Sequence, residues 1–580
     1  MDTKKRGRMT KKENNIVLFS ITLCWAASYI FIKSLPEDLS SYAYLTLTTG
    51  IAAIIMSVVF FKRLKEIRKR TLWKGFFLAL LMCGNLLAEK AGISLLPSSN
   101  ASFISSLNII FVPLLMLFFK KFPSRNHVAG IIVILVGIFC TNGFQLQGFM
   151  NLGTLYMLAA CFVMGIYTIA ADRFAKEEDP LLMAVVQMMF TALIGYLLWL
   201  LEEPTTFMSL TYSSRMISSI IILAFFTKAY AYIMLMYAQK YANPLNVTVI
   251  ASTEPVITLS LAILLPASFG SSETFHLLPF VGSLVIACGA VIAGTDFLDK
   301  KEVRQQKETQ VSSYSRVFQG EKALRPAGFG EWFRLEWNSK CLLRFVIFFV
   351  AFLVLGASFK VMVLIEGFTE IRPVNALPVM FGLIAGPVGA LACGLGNMAA
   401  DLFGTFNATS LLGFAANLIG AYLPFRLWYV FSDEKPNLKS FGNIGRYCLI
   451  STVASFVMAF IIGAGLDLFF NVRLPQIYIY VLLNNLAFSV FLGIPVFIVL
   501  NLETGLFGCC RPIGGVLSGM LPVVRERRHK KRLLGILSFV MVLGMAAVML
   551  YMLDGSSIRD SVWIQLCSAA DFLILCVLLI

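Results

Sequence analysis

Two stretches in the first half of the chain resemble each other: NASFISSLNII at residues 100–110 and NVTVIASTEPV at residues 246–256. Both begin with an asparagine, and Ser106 of the first matches Ser252 of the second. Neighbouring blocks match in the same order, which indicates an internal repeat rather than a chance likeness between apolar segments. These blocks are Ala88-Glu89-Lys90 with Ala238-Gln239-Lys240, and Gly130 and Gly137 with Gly282 and Gly289.

The repeat divides the first 300 residues into two halves, 16–143 and 152–297, and each half contains five apolar segments. A segment of about 20 apolar residues crosses a hydrocarbon core of about 30 Å as a helix, which satisfies its backbone groups internally. Because five is odd, the second half must enter the membrane inverted. Inverted repeats recur in secondary transporters, whose substrate site lies near the midplane where the repeats meet.

The composition indicates a polytopic membrane protein. Of the 580 residues, 58% are hydrophobic and 14% are charged, and the mean hydropathy is +0.80, whereas soluble domains carry about 25% charged residues. A soluble enzyme, a disordered chain and a disulfide scaffold are therefore excluded. The net charge is +16, but the basic residues cluster in short loops between apolar runs. That pattern indicates positive-inside topology and contact with the lipid bilayer, not with nucleic acid.

The alternation of these basic loops predicts that both chain ends are cytoplasmic. Residues 1–15 form a basic tail, and residues 298–340 form a charged cytoplasmic linker between two membrane units. The second unit, 341–501, contains six helices if Gly386-Pro387 separates two short ones, and a basic loop and two C-terminal helices follow over 502–580. The predicted fold is an all-α polytopic protein of about eighteen helices, in the plasma membrane of a bacterium.

Residues 16–297 resemble the EamA-type branch of the drug/metabolite transporter superfamily. The resemblance rests on the tryptophan-bearing first helix LCWAASYIFIK (23–33), the stretch from Ala251 to Glu254-Pro255, and the paired glycines of the fifth and tenth helices. It implies a ten-helix fold and a secondary transporter of small metabolites, without specifying the substrate. The first half has Asn108-Ile109 where the family has Glu-Pro, so the acidic residue is expected to act in one repeat only.

Residues 341–501 resemble, over a shorter pattern, the substrate-binding S-components of energy-coupling-factor importers. The pattern is Arg372-Pro-Val-Asn-Ala-Leu-Pro, then the glycine-rich stretch 386–394, then Asn397 and Asp401. It implies a ligand-binding membrane unit and an energy-coupling partner. The ligand candidates are Arg372, Asn397 and Asp401. Arg372 pairs with Asp401, Asp401 contacts a ligand from the non-cytoplasmic side, or both residues only anchor the unit at the membrane interface.

Lys228 is the strongest chemical signal, because it lies near the middle of an apolar segment that Arg215 and Lys240 bracket. A charge at the bilayer centre costs at least ~2.5 kcal/mol on insertion scales, so Lys228 should face a cavity or a counter-ion. Glu254 is the expected partner. Either Lys228 binds a substrate carboxylate or phosphate while Glu254 neutralises it or carries a proton, or the two form a structural ion pair. Four further candidates for substrate binding are Tyr232, Asn108, Trp25 and Ser252.

The sequence contains none of the catalytic motifs G-x-x-x-x-G-K-[ST], G-x-S-x-G and H-E-x-x-H. It has three histidines and no C-x-x-C, so we expect no metal and no cofactor. The predicted function is a non-enzymatic transporter of a small-molecule substrate, with a homodimer or an energy-coupling partner as the expected assemblies. The alternative is a membrane-embedded ligand-binding or sensor subunit that needs a partner protein. A membrane enzyme acting on lipid is supported by the polytopic architecture alone.

Overall fold

The computed structural model describes residues 9–36, 39–118, 125–141, 151–205, 213–242, 244–264, 277–294, 339–358, 363–365, 369–370, 372–404, 406–432, 436–474, 476–500, 528–553 and 555–579. They fall in two compact units, Arg8–Phe318 and Gln319–Ile580. The finer domain boundaries predicted from the sequence stay predictions. Most of the predicted linker 298–340 and the basic loop after residue 501 lie outside the described residues.

The described ranges contain thirteen helices that are long and apolar enough to cross a membrane, and shorter apolar helices accompany them. The all-α polytopic fold is thereby confirmed. Strands within those ranges are limited to one small hairpin in the second unit. There β1 (Val363–Ile365) pairs antiparallel with β2 (Thr369–Glu370).

The first unit contains the ten predicted helices, five in each half. Local chemistry sets many of their ends; for example, Thr10 caps α1 by accepting a hydrogen bond from the backbone N–H of Glu13 at 3.2 Å. The helices of the first half are α1 Lys11–Lys33, α2 Ser41–Val59, α3 Lys69–Leu95, α4a Ser98–Ser105 with α4b Asn108–Phe118, and α5 Arg125–Thr141. Those of the second half are α6 Leu152–Glu177, α7 Pro180–Glu202, α8 (three segments, below), α9a Pro244–Ala251 with α9b Glu254–Leu264, and α10 Leu277–Gly294.

The fourth helix of each half is broken at the same place in the repeat. The backbone N–H of Leu107 bonds the carbonyl of Ile104 at 3.0 Å, and that of Thr253 bonds the carbonyl of Ile250 at 3.1 Å. Both bonds span three residues instead of the α-helical four. In α9, Pro255 has no N–H to continue the ladder. The matching breaks agree with the repeat that the sequence predicts.

The last helices of the two halves, α5 and α10, pack antiparallel through their paired glycines. A Cβ built on Gly130 would lie 2.6 Å from the carbonyl oxygen of Gly289, and one on Gly137 would lie 2.9 Å from that of Gly282. The first glycine of each helix thus faces the second glycine of the other, which requires opposite chain directions. Glycine permits this backbone approach between membrane helices. Equivalent helices with opposite directions fit the inverted repeat.

Helix α8 has an unusual centre. It consists of Ser214–Ile222, a π-helical segment of eight residues, Leu223–Tyr230, and Ala231–Tyr241. A π-helix bonds each N–H five residues back and bulges the helix, frequently at functional sites. The hydroxyl groups of Tyr230 and Ser20 lie 2.9 Å apart in a hydrogen bond, which ties the segment to α1. Lys228 lies within this π-helical segment.

The second unit contains the six predicted helices and the two C-terminal ones. Its two short helices are separated at Gly386, whose φ of +55° favours glycine. The helices are α11 Ser339–Ser358, α12 Leu377–Ala385, α13 Pro387–Asp401, α14 Ser410–Phe431, α15 Phe441–Phe470, α16 (Ile477–Phe488, π-helical Ser489–Gly493, Ile494–Leu500), α17 Arg528–Leu553 and α18 Val562–Leu579. The described residues contain the helices predicted for this unit, but nothing in this arrangement confirms an S-component.

Close packing and one buried carboxylate hold the second unit together. A Cβ built on Gly382 would lie 1.8 Å from the carbonyl oxygen of Ala421, so α12 meets α14 backbone to backbone. Asp467, which is fully buried, accepts hydrogen bonds from the Ser557 hydroxyl at 2.8 Å and from the Ile558 N–H at 2.8 Å. The turn between α17 and α18 is therefore anchored to the end of α15.

Candidate functional site

A cavity lies between six helices of the first unit, three from each half: α1, α3 and α4, with their repeat counterparts α6, α8 and α9. The inverted repeat thus builds both walls from equivalent elements. The cavity brings together all the substrate-binding candidates that the sequence predicts in this unit. They are Trp25, Asn108, Lys228, Tyr232, Ser252 and Glu254.

Lys228 contributes the cation of the cavity wall, and only 3% of the residue is exposed. Its Nζ lies 5.6 Å from the centroid of the Tyr44 ring, which is a cation–π distance. The charge of Glu89 on α3 acts on Lys228 through space, although the two side chains form no ion pair within 4.0 Å. The predicted ion pair with Glu254 is not formed within 4.0 Å in the described structure, because Lys228 faces α2 and α3 instead of α9.

Glu254 and Asn108 occupy equivalent positions, each the first residue of the half-helix that follows a break. The N-terminus of a helix carries unsatisfied N–H groups and a partial positive charge, which favours the Glu254 carboxylate there. The Asn108 Oδ1 lines the cavity and is buried without a hydrogen-bond partner among the described residues. Unpartnered polar atoms at a cavity wall are the groups that a bound ligand or water satisfies.

Ser252 lies at the break in α9, and its hydroxyl donates to the Val249 carbonyl at 2.6 Å. That bond leaves the hydroxyl oxygen as an acceptor toward the cavity. Because Pro255 has no N–H, it cannot bond the carbonyl of Ala251 four residues earlier, and Ala251 lines the cavity. The break therefore adds free carbonyl and hydroxyl acceptors to the N–H donors of the half-helix that follows it.

Aromatic rings form the apolar part of the site. The Trp25 and Tyr232 ring centroids lie 6.1 Å apart, and Tyr232 meets Tyr167 edge to face at 6.0 Å. The Tyr167 hydroxyl donates to Gln187 Oε1 at 2.9 Å, which fixes its ring. These tilted and edge-to-face ring contacts form an apolar wall, against which a flat or apolar part of a ligand can pack.

Glu89 was not among the site residues predicted from the sequence. Glu89 lines the cavity, and Lys90 is buried with its Nζ 2.8 Å from the Ser94 hydroxyl that accepts its hydrogen bond. Asn85, one turn before Glu89, also lines the cavity and donates to the Ala160 carbonyl at 3.1 Å. The repeated block Ala88-Glu89-Lys90 was the signal, since it marked this part of α3 as equivalent to the helix that carries Lys228.

The second-unit candidates also lie together. The Arg372 guanidinium donates to Asn397 Oδ1 at 2.7 Å, and Asn397 Nδ2 lies 3.5 Å from Asp401 Oδ2 in a hydrogen bond. Asn397 is fully buried, and Asn484 Oδ1 accepts from the Arg372 backbone N–H at 3.2 Å. Asn397 is thus the link between the arginine and the aspartate that the sequence singled out.

A second set of charged side chains joins the two halves at one end of the first unit. Basic residues near the start of α3 form ion pairs with acidic residues at the end of α6 and in the turn before α7. The ion pairs are Arg63–Asp179 at 3.0 Å, Arg70–Glu177 at 2.7 Å and Lys74–Glu178 at 2.8 Å. Burial raises the pKa of Glu178, but hydrogen bonds from Lys74 and Thr71 outweigh it and hold that pKa below its ordinary value.

We expect Lys74→Met to lower the free energy of unfolding by ~1 kcal/mol at pH 7, because Lys74 forms a 2.8 Å ion pair with the largely buried Glu178. A depressed carboxyl pKa contributes stability above its unfolded value of about 4.3, and this contribution is lost as the pH falls through the folded value. The melting-temperature difference between wild type and variant should therefore shrink below about pH 4. Lys69→Met, at an exposed position on the same helix, is the control. A difference independent of pH would contradict this interpretation.

The two halves of the first unit each match a known protein family. Residues 14–143 and residues 151–295 each match the model of the EamA-like transporter family. Both halves of the first unit are similar to this family, and the two matches together cover just under half of the chain. The two matches coincide with the two five-helix halves, and they support a membrane transporter of the drug/metabolite type in general. The EamA-like resemblance seen in the sequence is thereby confirmed, whereas the S-component resemblance is not.

The other comparisons add less. No curated protein matches the chain. One solved structure, titled "Crystal structure of protein", is 18% identical over 48% of this chain and 96% of its own, with a TM-score of 0.39. At that identity and score it adds nothing to the assignment.

Proposed function

We propose that the protein is a secondary transporter that moves a small metabolite by alternating access around the cavity between the two EamA-like repeats. The observation that carries the proposal is the construction of this cavity from equivalent helices of both repeats, with the two broken helices at its wall. Transporters of inverted-repeat type bind substrate where such half-helix ends meet. The substrate then has polar partners from both halves, so that rocking one half against the other exposes it to either side.

The cavity chemistry favours a substrate with an anionic group and an apolar or aromatic part. Lys228 is the cation available to a carboxylate or phosphate. When the substrate binds, its anionic group replaces Glu89 as the electrostatic partner of Lys228. Glu254, at the N-terminus of its half-helix, binds a cationic group of the substrate or a proton. Trp25 and Tyr232 pack against the apolar part. From the positive-inside pattern we further propose a plasma-membrane location with both termini cytoplasmic, and transport that needs no catalytic step by this chain.

The test is transport by the full chain in proteoliposomes offered a fractionated metabolite extract, with mass spectrometry of what the vesicles accumulate. We expect at least one small metabolite to accumulate above empty vesicles and above vesicles with the Lys228→Ala variant. The transporter proposal would be contradicted if vesicles that contain folded protein accumulated nothing from any fraction, whichever side of the membrane the extract is offered to.

A second candidate function, ligand binding by the second unit, is favoured by the Arg372–Asn397–Asp401 contacts. Thermal-shift measurements with the same extract separate the two. Binding lost in Asn397→Leu but kept in Lys228→Ala would assign a ligand to the second unit. Binding lost only in Lys228→Ala would leave the first unit as the sole site, and would contradict this second function.

A further inference from the structure

The geometry points to a proton-binding site outside the transport cavity: Asp571, between the two C-terminal helices, holds an exchangeable proton at neutral pH. Asp571 stands in the middle of α18, with nine residues before it and eight after it in the 18-residue helix. Both α17 and α18 are long and apolar enough to cross a membrane. The carboxyl therefore lies near the bilayer centre, where an ionisable residue is a functional candidate by default.

The carboxyl is buried and unsatisfied. The residue is only 2% exposed, and its Oδ2 has no hydrogen-bond partner among the described residues. The hydroxyl of Ser568, one turn earlier on the same face, is also buried without such a partner. An ionised carboxylate in this position would lack every donor that normally stabilises it. A protonated carboxyl is neutral and avoids the cost of burying an unpaired charge.

Helix α17 leaves space for this group at one position. A Cβ built on Gly544 would lie 2.2 Å from Asp571 Oδ1 and 2.6 Å from Oδ2. Any larger residue would collide with the carboxyl, so the glycine admits Asp571 into the contact between the helices. The Cys567 Sγ also lies against Gly544, 3.8 Å from its carbonyl oxygen. The carboxyl thus occupies a fitted site rather than a lipid-exposed face.

No cation in the described residues pairs with Asp571. On α17 the charged residues are confined to 528–532, and Arg532 is twelve residues or about 18 Å from Gly544 along the helix. On α14, which also contacts α18, the one charged residue is Arg426, and it forms no ion pair with Asp571. Arg559 and Asp560 lie in the turn before the N-terminus of α18, away from the centre of the helix. The neutral, protonated form is the one that this environment accepts.

The test is infrared difference spectroscopy of the full-length protein in lipid, wild type minus Asp571→Asn. We expect the carbonyl stretch of a carboxylic acid at pH 7, shifted to lower frequency in D₂O because the proton exchanges. Asp560→Asn is the control, since Asp560 is half exposed with Arg473 3.8 Å away and should remove carboxylate bands only. Carboxylate bands from Asp571 at pH 7, or an acid band unmoved by D₂O, would overturn the proposal.

A second measurement uses only wild-type protein, and it tests the proposal even if Asp571→Asn fails to fold. Wild-type protein is treated at pH 7 with dicyclohexylcarbodiimide. A protonated carboxyl transfers its proton to a carbodiimide nitrogen, and the carboxylate oxygen bonds to the central carbon. The adduct then rearranges to a stable N-acylurea, and no group leaves. Peptide mapping is expected to place this addition on Asp571 and not on Asp560. Addition at Asp560 with none at Asp571 would overturn the site.

Discussion

Lys228→Ala is expected to lower substrate flux about 100-fold while the amount of folded protein stays close to that of wild type. The loss of a charge-assisted hydrogen bond is worth up to ~3 kcal/mol, and each ~1.4 kcal/mol is a factor of ten. Folding should tolerate the change, because a buried ammonium without an ion pair within 4.0 Å stabilises little. Flux and size-exclusion profiles of the full chain in the same preparation measure the two effects.

Lys240→Ala is the matched control, since Lys240 lies at the end of the same helix and does not line the cavity. Its flux should remain within about twofold of wild type, since single surface substitutions change stability by only ~0.5 kcal/mol. Equal loss of flux in both variants would show that the charge of α8, and not the cavity position, matters. Unchanged flux in Lys228→Ala would remove Lys228 from the site.

Gly130→Ala is expected to destabilise the protein by ~2–3 kcal/mol, which is the upper range for overpacking. The new methyl would lie 2.4 Å from Ala293 Cβ and 2.6 Å from the carbonyl oxygen of Gly289. Since the second of these contacts is backbone, no side-chain rotation relieves it. Thermal unfolding in detergent, followed by loss of the monodisperse peak, gives the measurement.

Gly50→Ala is the control for this second prediction. Gly50 lies within α2, and a Cβ there would meet no atom within 4 Å. Alanine is the better helix former, so this variant should be neutral or more stable by up to ~1 kcal/mol. If both glycine variants lose the same stability, the α5–α10 contact is not the cause.

Periodicity and local chemistry were sufficient for the architecture. Ten apolar segments of membrane-spanning length became ten helices, because backbone groups in lipid leave few alternatives to a helix. The matched stretches around Ser106 and Ser252 became matched breaks, and Gly386-Pro387 became the division between two short helices. Each of these features depends on residues close together in sequence.

The sequence by itself therefore determined the class of the protein, its inverted repeat and the set of helices that could carry a site. Only the tertiary structure decided that Glu89, not Glu254, is the electrostatic partner of Lys228, that a π-helical segment carries this lysine, and that Asp571 faces Gly544. The physical reason is range. Spanning length and helix breaks follow from neighbours along the chain, whereas the partner of a buried charge depends on the rotation and depth of helices that are distant in sequence.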